Sequence, residues 1–178
     1  MRAYPARNRS TPEAVTRLGG AAEGLAPRES RTVTAGATTI TVTAPPARHG
    51  PEGTEQATGP VTGFAVETGD GGTLCVSGDT VRHDALAEVG ARFALDTAFL
   101  HFGDAPFPST GDRAFPLSAT EGAALARTLG ARRVVPLHFD SWAHLAEDPA
   151  RITAAFAADP ALAGRLRWPT PGKEETLD

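Results

Sequence analysis

The stretch Thr73 to Phe93, TLCVSGDTVRHDALAEVGARF, decides the architecture, because the period of its apolar residues changes within it. Its first part, TLCVSGD, is a short apolar run that stops at Gly78 and Asp79, as a strand entering a turn does. The following HDALAEVGARF carries the wider spacing of a helix. Upstream of this change the chain reads as hairpins, and downstream helix and strand alternate.

On the upstream side, GDGG joins VTGFAVET to TLCVSGD, a turn signal that makes Val61 to Asp79 one hairpin. RTVTAG and TTITVTAP flank Ala35, Gly36 and Ala37 as another, so these strands run antiparallel in order. A helix is predicted in STPEAVTRLGG, with Thr11 as cap, Pro12 in its first turn and Gly19 and Gly20 as its stop. Residues 1–10, with three arginines and little apolar material, form a loose segment. On the downstream side, TAFLHFG reads as a strand that ends in the irregular DAPFPSTGDRAFP. Ser118 and Glu121 have capping-box spacing, which opens a helix running to about Gly130. RRVVPLHFD is then a buried strand, SWAHLAEDPARITAAFAA one or two short helices, and residues 169–178 a disordered tail. A single α/β domain over residues 11–168 follows, a mixed sheet with helices on one face.

The bulk composition narrows the function classes. The chain has 178 residues, 40% of them hydrophobic and 21% charged, enough to bury roughly 70% of the extended surface in one core. No run approaches the roughly 18 apolar residues that cross a bilayer, and MRAYPARNRSTPEA lacks a secretory apolar core. A cytoplasmic protein without a membrane partner is expected. The net charge is −4 and no basic stripe carries interleaved aromatics, so no nucleic-acid partner is expected. The single cysteine, Cys75, reads as a small buried hydrophobe.

Chemistry-bearing residues stand at predicted strand ends. His49 follows TITVTAPPAR, Asp79 follows LCVSG and His138 ends VVPLH. Strand ends share one rim, and two imidazoles with a carboxylate suit zinc or another first-row metal. Each has a plainer reading: a surface imidazole for His49, a helix cap for Asp79, a hydrogen-bonded core histidine for His138. Asp140, Trp142 and His144 follow His138 closely and read as residues that support a metal or line a substrate mouth, or for Trp142 as packing. His144, placed on a short helix, can also form a surface pair with Asp148. His83 is a candidate for the metal rim, and His101 a structural or supporting histidine.

TVTAPPARHGPEG, GGTLCVSGDTVRHD and ARRVVPLHFDSW, in that order and with a predicted helix before the last, resemble the C-terminal half of the metallo-β-lactamase superfamily. The similarity is to its lactonase-like, cytoplasmic metal-dependent hydrolases. It implies a four-layer αββα sandwich, of which this chain supplies an incomplete part. It also implies that His49 binds a first metal, that Asp79 bridges two metals and takes part in catalysis, and that His138 binds a second. The implied reaction is hydrolysis of a lactone, amide or phosphate ester of a small molecule by water that the metal activates. Zinc is the expected metal, with manganese, iron and nickel as alternatives.

The resemblance departs at one place. The family's His-x-His-x-Asp-His motif is absent, since the five histidines are His49, His83, His101, His138 and His144. At most one metal is therefore expected from this chain alone, and the sequence is expected to begin after the strand that carries that motif. A sheet without its partner layer should expose Val, Ile or Phe, favouring self-association or a partner chain. The competing function is a non-catalytic remnant, an interaction module that uses this bare face.

Overall fold

The computed structural model describes residues 17, 19, 22–106, 114–140 and 142–176. The loose segment expected over residues 1–10, and nearly all of the helix expected from Thr11, lie outside them. A six-stranded sheet organises the rest, in the order β1 (Ser30–Ala35), β2 (Thr38–Thr43), β3 (Phe64–Thr68), β4 (Thr73–Val76), β5 (Thr97–His101) and β8 (Arg133–Leu137). A small pair, β6 (Ala105–Pro106) and β7 (Ala114–Phe115), lies apart from it.

The change of period at Thr80 is also the change of sheet topology. Strands β1 to β4 pair antiparallel, whereas β4 with β5 and β5 with β8 pair parallel. Short turns suffice for the hairpins, but a parallel neighbour needs a crossover, which the helical segments provide. Between β4 and β5 these are a 3-10 turn (Asp84–Leu86) and the short α2 (Ala87–Arg92), and between β5 and β8 the longer α3 (Ala119–Leu129). A one-turn α1 (Glu55–Thr58) lies between β2 and β3, and α4 (Pro149–Ala157) with a 3-10 turn (Pro160–Leu162) follows β8.

The helices cover one face. Ala65, Cys75, Ala98 and Val134 align across β3, β4, β5 and β8, each 3% exposed or less. Small side chains in that row let the helices approach, and Leu125, Leu129, Ile152 and Phe156 close the core above them. Gly122 marks the nearest approach of α3, because a Cβ there would stand 2.1 Å from Cε1 of Phe102. The capping box is formed: Ser118 Oγ accepts from the Glu121 amide, and the Glu121 carboxylate accepts from the Ser118 amide. Cys75 is buried as expected, and burial pushes its thiol up to about 12.

The other face carries Val66 beside Leu74, and Phe64 beside Val76 and Phe99. Phe64 is 42% exposed and Val33, on the edge strand β1, 51%. The two sheet edges differ as well. Along β8, Val134 donates to Arg165 O and accepts from the Arg167 amide, which satisfies that edge locally, while β1 pairs only with β2 among the described residues.

Candidate metal centre

Strand direction brings the candidate residues together. With β4, β5 and β8 parallel, their C-terminal ends meet at one sheet edge. Two antiparallel steps separate β2 from β4, so β2 ends there too. Asp79 follows β4, His101 ends β5, His138 follows β8, and His49 arrives on the loop after β2.

One cleft of about 460 Å³ is lined by His49, Asp79, His138, Trp142 and His144. Apart from Thr58, its other walls are apolar, from Ala57, Ala105, Phe115, Pro116 and Leu145. Such a volume accommodates a small-molecule ligand. Phe115 also meets the His49 ring edge-on, at 5.5 Å between centroids and 87° between planes.

Both key imidazoles are oriented through Nδ1. In His49 this atom lies 2.8 Å from Thr58 O, and in His138 it lies 3.0 Å from Phe102 O. A carbonyl only accepts, so each ring donates there through Nδ1–H, which in the neutral tautomer leaves Nε2 as the atom able to bind a metal. Gly50 makes the first contact possible, since a Cβ on it would stand 2.8 Å from atoms of Thr54 and Thr58. His138 takes a left-handed backbone, φ 60°, immediately beyond β8. Asp79 is not the cap of the next turn, a place that His83 occupies without a side-chain bond. Among the described residues no group of three His, Cys, Asp or Glu stands close enough to hold a metal. In kind, then, the donors suit a metal, while their spacing here is wider than one ion spans.

The remaining candidates divide. Trp142, 62% exposed, and His144 line the cleft with their rings 6.1 Å apart. His144 lies in a turn and not on a helix, because Asp148 caps α4 only later by accepting from the Arg151 amide. Asp140 and His83 do not line the cleft. Burial, then Arg48, hold His83 below the usual imidazole range, against the pull of Asp84 and Glu88. His101 stands closer to the centre than the sequence indicates. Its ring lies 6.0 Å from that of His138, and its Nδ1 is 3.2 Å from Ser77 Oγ. Burial is the main cause of its lowered pKa, with Asp79 acting in the opposite sense and His138 in the same one. Phe115 and Pro116, at the end of the irregular AFP run, had no sequence signal beyond that irregularity.

This arrangement is that of α/β proteins which gather imidazole and carboxylate groups along one edge of a mixed sheet. Within that class the chain belongs to the beta-lactamase superfamily, whose domain matches residues 4–139. A "UPF0173 metal-dependent hydrolase" of Geobacillus thermodenitrificans (strain NG80-2) is 31% identical over 87 residues, which cover 49% of this chain and 34% of that protein. Igni18, a metallo hydrolase of Ignicoccus hospitalis, superposes with a TM-score of 0.70 at 20% identity, over 93% of this chain and 65% of its own. An isothiocyanate hydrolase from Delia radicum gut bacteria does so with a TM-score of 0.73 at 17% identity, over 94% of this chain and 64% of its own. The chain thus spans about a third of that curated relative and under two thirds of each of these structural neighbours.

Proposed function

We propose that this chain contributes His49, Asp79 and His138 to the metal centre of a hydrolase that acts on a small molecule. The observation that carries this reading is the pair of imidazoles in one cleft, each fixed through Nδ1 to a backbone carbonyl and left with Nε2 as the donor. A bound metal, zinc in this proposal, supplies Lewis acidity and lowers the pKa of a water. The chain's own groups hold the metal through His49, His138 and Asp79, and surround the substrate with Phe115, Pro116, Leu145 and Trp142. Lactones, amides and phosphate esters are the substrate classes proposed.

Three such donors and a water would hold at most one ion, so in this reading the chain alone has weak or no activity, and a second polypeptide surface supplies the ligands of a second ion and packs on the sheet face that exposes Phe64 and Val33. No described helix is long and apolar enough to cross a membrane, and a cytoplasmic site of action is part of the proposal.

Metal content measured by plasma mass spectrometry on untagged protein tests the reading. About one equivalent of zinc, lost in the His49→Ala, His138→Ala double variant, supports it. No metal in either protein refutes it and leaves the second reading, a non-catalytic interaction module, which the exposed Phe64 and Val33 favour.

A further inference from the structure

The SGDT stretch places a hydroxyl on either side of Asp79, and both are buried: Ser77 is 6% exposed and Thr80 0%. Each is bonded to a segment distant in sequence that carries a histidine, Thr80 to the loop after β2 and Ser77 to the end of β5. Thr80 Oγ1 accepts from the Arg48 amide at 3.0 Å, and the Val81 amide donates to Arg48 O at 2.9 Å. The proton on Thr80 Oγ1 has Val81 O at 3.0 Å and Arg48 O at 3.3 Å as acceptors. The residue before His49 is therefore tied in both directions to the residues after Asp79. On the other side, Ser77 Oγ accepts from the His101 amide at 3.0 Å and donates to Gly78 O at 2.8 Å. The Ser77 amide donates to Phe99 O at 2.9 Å.

Between the hydroxyls the backbone has no slack. Gly78 has φ +62°, and a Cβ on it would stand 2.5 Å from Thr62 O. Asp79 thus leaves a left-handed, close-packed position and enters one fixed by Thr80, so its place relative to the neighbouring loops is set by these bonds and not by its own side chain. Satisfying the backbone alone does not require this arrangement: water serves an exposed loop equally well, yet here side-chain hydroxyls are buried to do it.

We infer that Thr80 and Ser77 are positioning residues, a two-hydroxyl clamp in which Thr80 fixes Asp79 relative to His49 and Ser77 fixes it relative to His101. The inference rests on the metal-site reading for its consequence, though not for its geometry. Donors spaced by a rigid backbone give up less freedom when a metal binds, so loosening the clamp weakens metal binding without removing a ligand.

Thr80→Val keeps the volume and removes the hydroxyl, whereas Thr80→Ser restores it. Amide hydrogen exchange of the full chain, read at Arg48, and zinc affinity, read by competition with a chromophoric chelator, are compared across wild type and both variants. In Thr80→Val the Arg48 amide exchanges at least about tenfold faster and zinc binds about 10- to 100-fold more weakly; Thr80→Ser returns both to within about threefold of wild type. Wild-type exchange at Arg48 in a folded Thr80→Val protein overturns the clamp, as does accelerated exchange with unchanged zinc affinity. Should wild type bind no zinc, the metal-site reading fails, and exchange at Arg48 still decides the geometry of the clamp. Should Thr80→Val not fold, Ser77→Ala is read in the same way at the His101 amide, with the same outcomes.

Discussion

Glu147 accepts the amide hydrogen of Ala119 at 2.9 Å, across 28 residues of sequence, and so closes the first turn of α3 from outside the helix. Its side chain is 0% exposed, and Arg151, at 3.7 Å, is its cationic neighbour. The Glu147 and Ala146 amides both donate to Gly103 O, which joins this carboxylate to the segment that carries Leu145 into the cleft. Removing the carboxylate leaves a buried amide without its acceptor and takes one of two anions, with Glu121, from the helix N-terminus. Glu147→Ala lowers the unfolding free energy by about 2 kcal/mol in urea titrations, and Glu147→Gln, which keeps an acceptor, lowers it by about half as much.

A methyl group on α3 gives the opposite of what helix propensity alone suggests. Gly122→Ala gains about 1 kcal/mol of propensity, yet its Cβ would stand 2.1 Å and 2.5 Å from Cε1 and Cζ of Phe102, a ring with 0% exposure. Overpacking of that kind costs about 1 to 3 kcal/mol, so the variant has a lower urea midpoint than wild type.

Burial and Arg48 hold His83 below its usual 6.5, so the unfolded chain takes up this proton at a higher pH than the folded one. As the pH falls below 6.5 the unfolded state binds the extra proton, and stability declines until the folded-state pKa is passed. Above 6.5 the group has no effect on stability. Urea midpoints followed from about pH 7 to about pH 5 should fall, and less steeply in His83→Gln. An unchanged slope in that variant would remove His83 from the account.

The open sheet face should bind an apolar dye. Phe64, 42% exposed, and Val33, 51% exposed, flank a row that includes Val66 and Leu74. Wild type is expected to bind ANS beyond the level of a compact monomer of its size, and Phe64→Asp to reduce that binding by about a third without changing the circular dichroism. Dye binding at the compact-monomer level in wild type would show that the face is covered.

Local signals made single hairpins and helix starts legible. The GDGG turn fixed one hairpin, and the Ser118 and Glu121 pair fixed the start of α3. Asp79 and His138 were legible as cleft residues because parallel strand ends share one rim, a rule that needs no side-chain detail. His101 was undervalued because its contact with Ser77 depends on the parallel register of β4 and β5, which the sequence does not encode locally. The extended backbone of His83, φ −151° and ψ 161°, precedes a 3-10 turn whose start no capping side chain announces. A partial signal existed for His144: Pro149 fits the first turn of α4, so the helix that Asp148 caps does not extend back to it.

The division of the sheet into an antiparallel meander and a parallel pair also orders the events of folding. β1 meets β2, and β3 meets β4, across turns of a few residues at little cost in loop closure, and the loop that carries His49 and α1 joins the two hairpins. The pairing of β5 with β8 must wait for α3 and its connections to form, and Trp142 and His144 lie beyond even that. During synthesis the hairpins therefore have their partners while the ribosome still holds the residues that finish the cleft. His49 and Asp79 come to rest first, and His138 joins them when the last strand docks.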